Sequence, residues 1–259
     1  MGHIRLGRIP RSKKWAGIFS ALGGPSLLPD LLSREISICA QKELEELRCN
    51  EGVNYCYWML VRILSSSHTQ DFSARLQELG INTNNIESGA EFVRRISEVV
   101  SKEMRIRIAS DIFTEMAALS LREILTQYII EGSKSLFGTG LPEIQSACNK
   151  ISSNKAFGEV SRDFFSKFTA RYLKFIVDKE VSNYVGLAHT LSSPSSVNKF
   201  HEDLDRYCYE TSLIVKGFAQ GWFSKLNWQT GYDIAEQETK GFTAYALEKI
   251  QMELKESQK

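Results

Sequence analysis

The chain has 259 residues, of which 42% are hydrophobic and 24% are charged, and its formal net charge is +1. This composition is typical of a globular protein and excludes a chain that is disordered throughout. The nearly balanced charge also excludes a protein that binds polyanions over its whole surface.

The first 29 residues are predicted to form a basic arm and a short helix. They contain no acidic residue, and Ile4, Leu6 and Ile9 alternate with the basic positions. Basic side chains can neutralise nucleic-acid phosphates, whereas apolar side chains favour a protein groove, so we expect docking on protein with nucleic acid as the alternative. The basic residues are Arg5, Arg8, Arg11, Lys13 and Lys14.

Residues 30–259 are predicted to form one helical domain. No proline occurs between Pro29 and Pro142, and strongly helix-forming residues fill this stretch. We therefore expect an all-α bundle of about eight to ten helices, since runs of β-branched residues bounded by turns are missing. The glycines around residues 138–141 mark a candidate subdivision. No segment is apolar enough to cross a bilayer, and we expect a cytoplasmic protein without a membrane partner.

Polar residues before apolar periodic segments predict where individual helices begin. Ser88, Asp111 and Ser193 (before Pro194) are suitable N-cap residues. The short run Met104–Ile108 alternates with a period of two, but it lies between helical patterns. We therefore predict a helix there, interrupted near Asp111.

Two apolar stripes predict the centre of the bundle. The first, from Phe157 to Phe175, is aromatic and has helical spacing. The second follows Ser193 and runs through Val197, Phe200, Leu204, Tyr207, Thr211, Ile214 and Phe218 at alternating spacings of 3 and 4. Such spacing predicts a continuous three-heptad seam in helices packed near 20°.

The segment from Gly217 to Tyr232 is unusually aromatic and is the candidate partner-binding site. Trp and Tyr at this density are enriched in interface hot spots, although the same residues can also close the end of a helical core. We expect Trp222 to belong to the core and Trp228 to be the anchor for a partner. The candidate residues are Trp222, Phe223, Lys225, Trp228 and Tyr232.

No set of residues points to catalysis, a metal or a cofactor. His201 and Asp205 are four residues apart and could share a helical face, but we favour the interpretation that they are ordinary surface charge. Cys208 is expected to be buried and inert. The glycine-containing segments lack the lysine of a phosphate-binding loop. An odd number of cysteines without a CxxC pair favours reduced thiols.

Three segments resemble a group of uncharacterised helical bacterial proteins. They are HIRLGRIPRSKKW near the start, and GFAQGWFSKLNW and GFTAYALEKI near the end, so the resemblance covers about the first 20 and last 45 residues. These proteins are similar to helical accessory proteins encoded beside ATPases or nucleases in anti-phage defence operons. The resemblance implies a bacterial defence context and carries over no catalytic residue.

Together these observations predict a non-enzymatic helical accessory or adaptor subunit that binds other protein chains. The alternatives are a helical protein that contacts nucleic acid through its basic arm and an enzyme of unrecognised type. A homo-oligomer is compatible with each of them.

Overall fold

The computed structural model describes residues 36, 45, 47–108, 111–133, 140–181 and 193–256. Within these residues the chain forms nine α-helices and no β-strand, which confirms the predicted all-α fold. The basic arm and the short helix predicted after it lie outside the described residues. The helices are α1 (Glu51–Ser66), α2 (Phe72–Glu78), α3 (Gly89–Glu103), α4 (Ile112–Leu125), α5 (Leu141–Ile151), α6 (Asn154–Val181), α7 (Pro194–Thr211), α8 (Leu213–Thr230) and α9 (Glu236–Glu256).

Two helices, α1 and α6, form the centre of the structure. α1 is buried along almost its whole length and packs against α2, α4, α5 and α9. α6 has 28 residues, which corresponds to about 42 Å, and it packs against α4, α5, α7 and α8. A helix that is covered on all sides needs apolar or internally satisfied side chains around its circumference, and α1 meets this requirement.

The aromatic stripe on α6 is buried as predicted from Phe157 to Tyr172, and Phe175 at its end is half-buried. Phe157, Phe164 and Phe168 are fully buried, and Tyr172 is nearly so. The ring of Tyr57 on α1 lies 5.3 Å from that of Phe164, measured between centroids. Burial of such large rings supplies much of the hydrophobic stabilisation of a bundle.

The helix starts also agree with the predictions. The side chains of Ser88, Asp111 and Ser193 each accept a hydrogen bond from a backbone N–H in the first turn of the following helix. Residues 104–108 are helical, as predicted, and form a π-helical turn at the end of α3. The last helix begins at Glu236 rather than near Asp233.

The predicted continuous seam from Val197 to Phe218 is wrong. The helix ends at Thr211, and α8 begins anew at Leu213 after Ser212. Because this break resets the helical phase, Ile214 is 36% exposed although the seam places it in the core. Both helices still pack on α6, each with its own buried face.

Hydrogen bonds and ion pairs between side chains join α1 to α9 and α4 to α6. Asn54 on α1 is buried, and its Oδ1 accepts hydrogen bonds from the Thr239 and Thr243 hydroxyls on α9, at 3.1 and 3.2 Å. Glu123 on α4 forms ion pairs with two basic residues of α6, Lys167 and Arg171. Helices from both sides of residues 134–139 are therefore in direct contact, although these residues, which include half of the proposed subdivision, lie outside the described part of the chain.

Candidate protein-interaction surface

The inner face of α8 belongs to the core, and its outer face is exposed and carries large apolar side chains near its two ends. Every fourth residue on the inner face is buried, namely Val215, Ala219, Phe223 and Asn227. On the opposite side, Leu213 is 52% exposed and Trp228 is 84% exposed. The outer face, defined as Leu213, Ile214, Gly217, Gly221 and Trp228, is the candidate interaction surface.

Phe223 was predicted to contact a partner, and this prediction is wrong. Its side chain is 1% exposed. Its ring stacks on that of Phe157 from α6, with the centroids 3.7 Å apart and the planes 7° from parallel. A ring with no accessible surface cannot contact another chain, so Phe223 is a core residue.

Trp222 packs on the core, as expected for it, and its place in the partner-binding set stays a prediction. Its ring lies 4.2 Å from that of Phe242 on α9, measured between centroids, and 6.4 Å from those of Tyr57 and Phe157. Part of the indole stays accessible at the α8–α9 edge. Trp222 therefore helps to pack α8 on the core, and it leaves the outer face of α8 accessible to solvent.

Trp228 is the most exposed large hydrophobic residue in the described part of the chain. Its ring stacks on no aromatic ring among the described residues. Large aromatic side chains carry about 150–250 Å² of surface, so this exposure leaves considerable apolar area in water. The exposure fits the anchor role predicted for Trp228, and that role remains a prediction.

The C-terminal end of α8, which carries Trp228, is fixed by its own cap. The neighbouring residue Asn227 is buried, and its Oδ1 accepts a hydrogen bond from the Ser65 hydroxyl of α1. Gly231 ends the helix in the left-handed conformation, with a φ of 60°, which suits glycine. The Tyr232 N–H then donates to the Asn227 carbonyl at 3.1 Å.

The turn after α8 is fastened to α1. Arg62 donates to the Tyr232 carbonyl at 2.9 Å and forms an ion pair with Asp233. The Trp58 indole N–H donates to the Ile234 carbonyl at 2.8 Å. Burial lowers the pKa of the Arg62 guanidinium, and the nearby Asp233 carboxylate opposes that shift. These contacts hold the base of the outer face in one position.

Sequence reasoning missed the role of Arg62, although a signal was present. Arg62 lies within the apolar run of α1, between Val61 and Ile63. A guanidinium on a buried helix must find acceptors, because an unpaired buried charge is very costly. The identity of those acceptors depends on the tertiary structure, since Glu78 lies 16 residues away and the Tyr232 carbonyl lies 170 residues away in the chain.

Two further predicted residues flank the turn. Tyr232 is 36% exposed, and its ring stacks on His68 with 5.1 Å between centroids. Lys225 is exposed and forms no ion pair with another described residue. Both side chains are accessible to another molecule, so both stay in the predicted partner-binding set.

The His201 and Asp205 side chains are engaged with α6. His201 Nε2 lies 2.8 Å from Asp178 Oδ1, and Asp205 Oδ1 lies 2.6 Å from Lys174 Nζ. Cys208 is buried, and burial raises the pKa of its thiol, which keeps it protonated at neutral pH. In the described ranges, no group of three or more His, Cys, Asp or Glu residues is arranged to hold a metal ion.

The comparisons with known proteins add no family to this picture. No family model, curated protein or solved structure matches the chain. Among the helices that the structure describes, none is both long and apolar enough to span a membrane.

Proposed function

We propose that this protein is a non-enzymatic helical subunit that binds another protein chain through the outer face of α8. The observation that carries the proposal is the 84% exposure of Trp228 on a helix end that α1 holds in place. Interface hot spots are enriched in Trp, and a preorganised anchor loses little conformational entropy on binding. Leu213 and Ile214 extend the apolar surface at the other end of the helix.

The outer face also favours close approach. An added Cβ at Gly217 or Gly221 would meet no heavy atom within 4 Å, so the α8 backbone is uncovered there. Two glycines separated by three residues let another element approach the helix backbone closely. Because Trp228 and Leu213 leave apolar surface exposed, the proposed partner offers an apolar surface that can accept Trp228.

Site-specific cross-linking in the native host tests this proposal. A photo-reactive benzoylphenylalanine replaces Trp228 in one variant and Ile106 in a control, because Ile106 is also apolar and is 72% exposed. We expect a discrete cross-linked protein chain from position 228 that position 106 does not give. Equal labelling from both positions, or none from position 228, would refute the proposal.

An alanine variant gives a quantitative test with the same partner. Removal of an interface hot spot costs 2 kcal/mol or more, which corresponds to about a 30-fold loss of affinity. We therefore expect Trp228→Ala to lose the co-purified chain and Ile106→Ala to retain it. If the captured chain is a second copy of this protein, the proposed adaptor becomes a homo-oligomer.

A second candidate function rests on the basic arm, whose first 14 residues include five basic residues and no acidic one. If the arm binds nucleic acid, replacing Arg8, Arg11, Lys13 and Lys14 with Ala should weaken duplex binding and flatten its salt dependence. Unchanged duplex binding in that variant would exclude this role. Neither candidate depends on the defence context that the resemblance implies, which remains a prediction.

A further inference from the structure

An open groove lies between α3 and α4, on elements that take no part in the α8 surface. Its volume is about 350 Å³, and twelve residues line it. Small-molecule sites usually span about 300–1,000 Å³, whereas protein interfaces use about 20–30 residues a side. The groove therefore suits a small molecule better than a protein segment.

The floor of the groove is apolar and rigidly packed. Five of its lining side chains are buried in the core and expose less than a tenth of their surface. Leu119, which is 42% exposed, forms part of the rim. The five buried residues are Ile96, Val100, Met104, Leu121 and Leu125.

Two arginines on the rim have no partner for their guanidinium groups among the described residues. Within the described part of the chain, Arg105 and Arg122 form no side-chain hydrogen bond or ion pair, whereas every other described arginine is ion-paired. Both unpaired arginines line this groove. Glu115 is the single acid among the lining residues, so the lining carries net positive charge.

Both π-helical turns of the described chain border the groove. Met104 and Arg105 begin the turn that ends at Ile108, and Leu125 directly precedes the turn Thr126–Ile130. π-Helical turns are rare and occur frequently at functional sites. Ser97, Ser101 and Arg105 follow one another at intervals of four residues and all line the groove, so the guanidinium lies at one end of a continuous α3 edge.

We propose that this groove binds a small amphiphile with an apolar body and an anionic head group. The apolar body packs on the buried floor, and the head group, a carboxylate or a phosphate, is bound by Arg105 and Arg122. Arginine suits such groups because its planar guanidinium donates two parallel hydrogen bonds to one oxyanion. A ligand with both parts would match the apolar floor and the two arginines of the rim.

Calorimetric titration of the full chain with four ten-carbon probes tests the ligand class. Decanoate and decyl phosphate carry the anionic head groups, whereas decanol is neutral and decyltrimethylammonium is cationic. All four are used below their micelle-forming concentrations. We expect both anions to bind at least tenfold more tightly than decanol, and the tighter of the two identifies the head group. Equal binding of the anions and decanol, or no binding of either anion, would overturn the proposal.

Variants of the rim test the site. Replacing both Arg105 and Arg122 with Gln should weaken anion binding about tenfold, because the variant loses both guanidinium contacts to the head group and exposed ion pairs are individually weak. Arg94→Gln is the matched control, since Arg94 is also on α3 but is paired with Glu98. An unchanged affinity in the double variant would overturn the assignment of these arginines.

A third variant fills the groove and leaves its charges in place. Ala118 lines the groove on α4, and Ala118→Phe should abolish decanoate binding while the thermal unfolding transition is retained. Full binding by a folded Ala118→Phe variant would show that the probe binds elsewhere. If that variant does not fold, the arginine double variant decides the question.

Discussion

The inner and outer faces of α8 contain the same kinds of residue and have opposite environments. On the inner side, Phe223 stacks on Phe157, and Gln220 lies against Gly158 of α6. On the outer side, Trp228 is exposed, and nothing lies within 4 Å of an added Cβ at Gly221. Aromatic and small residues thus make a tight interface on one face and an open surface on the other. Composition alone cannot distinguish a core residue from a partner anchor, but the helical phase can.

The largest expected effect is at the centre of the inner face. Phe223→Ala should lower the free energy of unfolding by about 3–5 kcal/mol, because it removes a buried ring and leaves a cavity beside Phe157. Chemical denaturation of the isolated chain measures this loss. A loss below 1 kcal/mol would mean that the stacked pair contributes little to the core.

Replacement of Gly158 should give the next largest loss of stability, because α6 and α8 approach each other closely at this residue. An added Cβ would lie 2.9 Å from the Lys216 carbonyl oxygen, which belongs to the backbone and cannot easily move away. Gly158→Ala should therefore destabilise the protein by about 1–3 kcal/mol, although alanine is the better helix former. A denaturation midpoint at or above that of the unmodified protein would contradict the close packing.

The matched substitution on the outer face should change the free energy of unfolding in the opposite direction. Gly221→Ala adds a methyl group where there is free space and replaces glycine within a helix, so we expect a gain in stability of up to about 1 kcal/mol. Thermal unfolding of the two glycine variants side by side compares the faces directly. If a partner approaches the α8 backbone closely, the same substitution should weaken its binding.

Trp228→Ala should have the smallest effect on the isolated chain. Exposed side chains away from special features usually change stability by less than about 0.5 kcal/mol, and Trp228 is 84% exposed. The melting temperature should stay almost unchanged while partner binding is lost. Unfolding of this variant in the absence of any partner would show that Trp228 contributes to the core and is not a residue of the outer face.

The apolar spacing predicted the buried residues correctly where a single uninterrupted helix carries the whole stripe. The stripe on α6 begins at Phe157 and stays in register through Tyr172, and the structure buries these residues. The pattern failed at Ser212, because 3/4 spacing continues across a break that turns the chain. The buried residues of α8 are therefore Val215 and Ala219 rather than Ile214.

Long-range side-chain partners could not be predicted, because they depend on the tertiary structure. Arg107 has Glu103 four residues before it, a spacing typical of an ion pair within a helix, whereas Arg105 has Ser101 at that distance. In the structure, Arg107 pairs with Glu103 and also with Glu236, which is 129 residues away, whereas Arg105 lines the groove without a partner among the described residues. The contacts of Arg62 with the α8–α9 turn could not be predicted either, because they also depend on the tertiary structure. The aromatic segment was identified from composition, but Phe223 could be assigned to the core only from the structure.

The packing of α9 on α1 has a consequence for synthesis of the chain. Asn54 meets Thr239 across 185 residues of sequence, so α1 is translated long before the residues that cover it. Ribosomes add about 5–20 residues per second, and this interval therefore lasts about 10–40 s. During that time the apolar surface of α1 lacks α9, and the nascent chain is exposed to aggregation and to chaperones. A transcript truncated before α9 would leave this surface permanently uncovered.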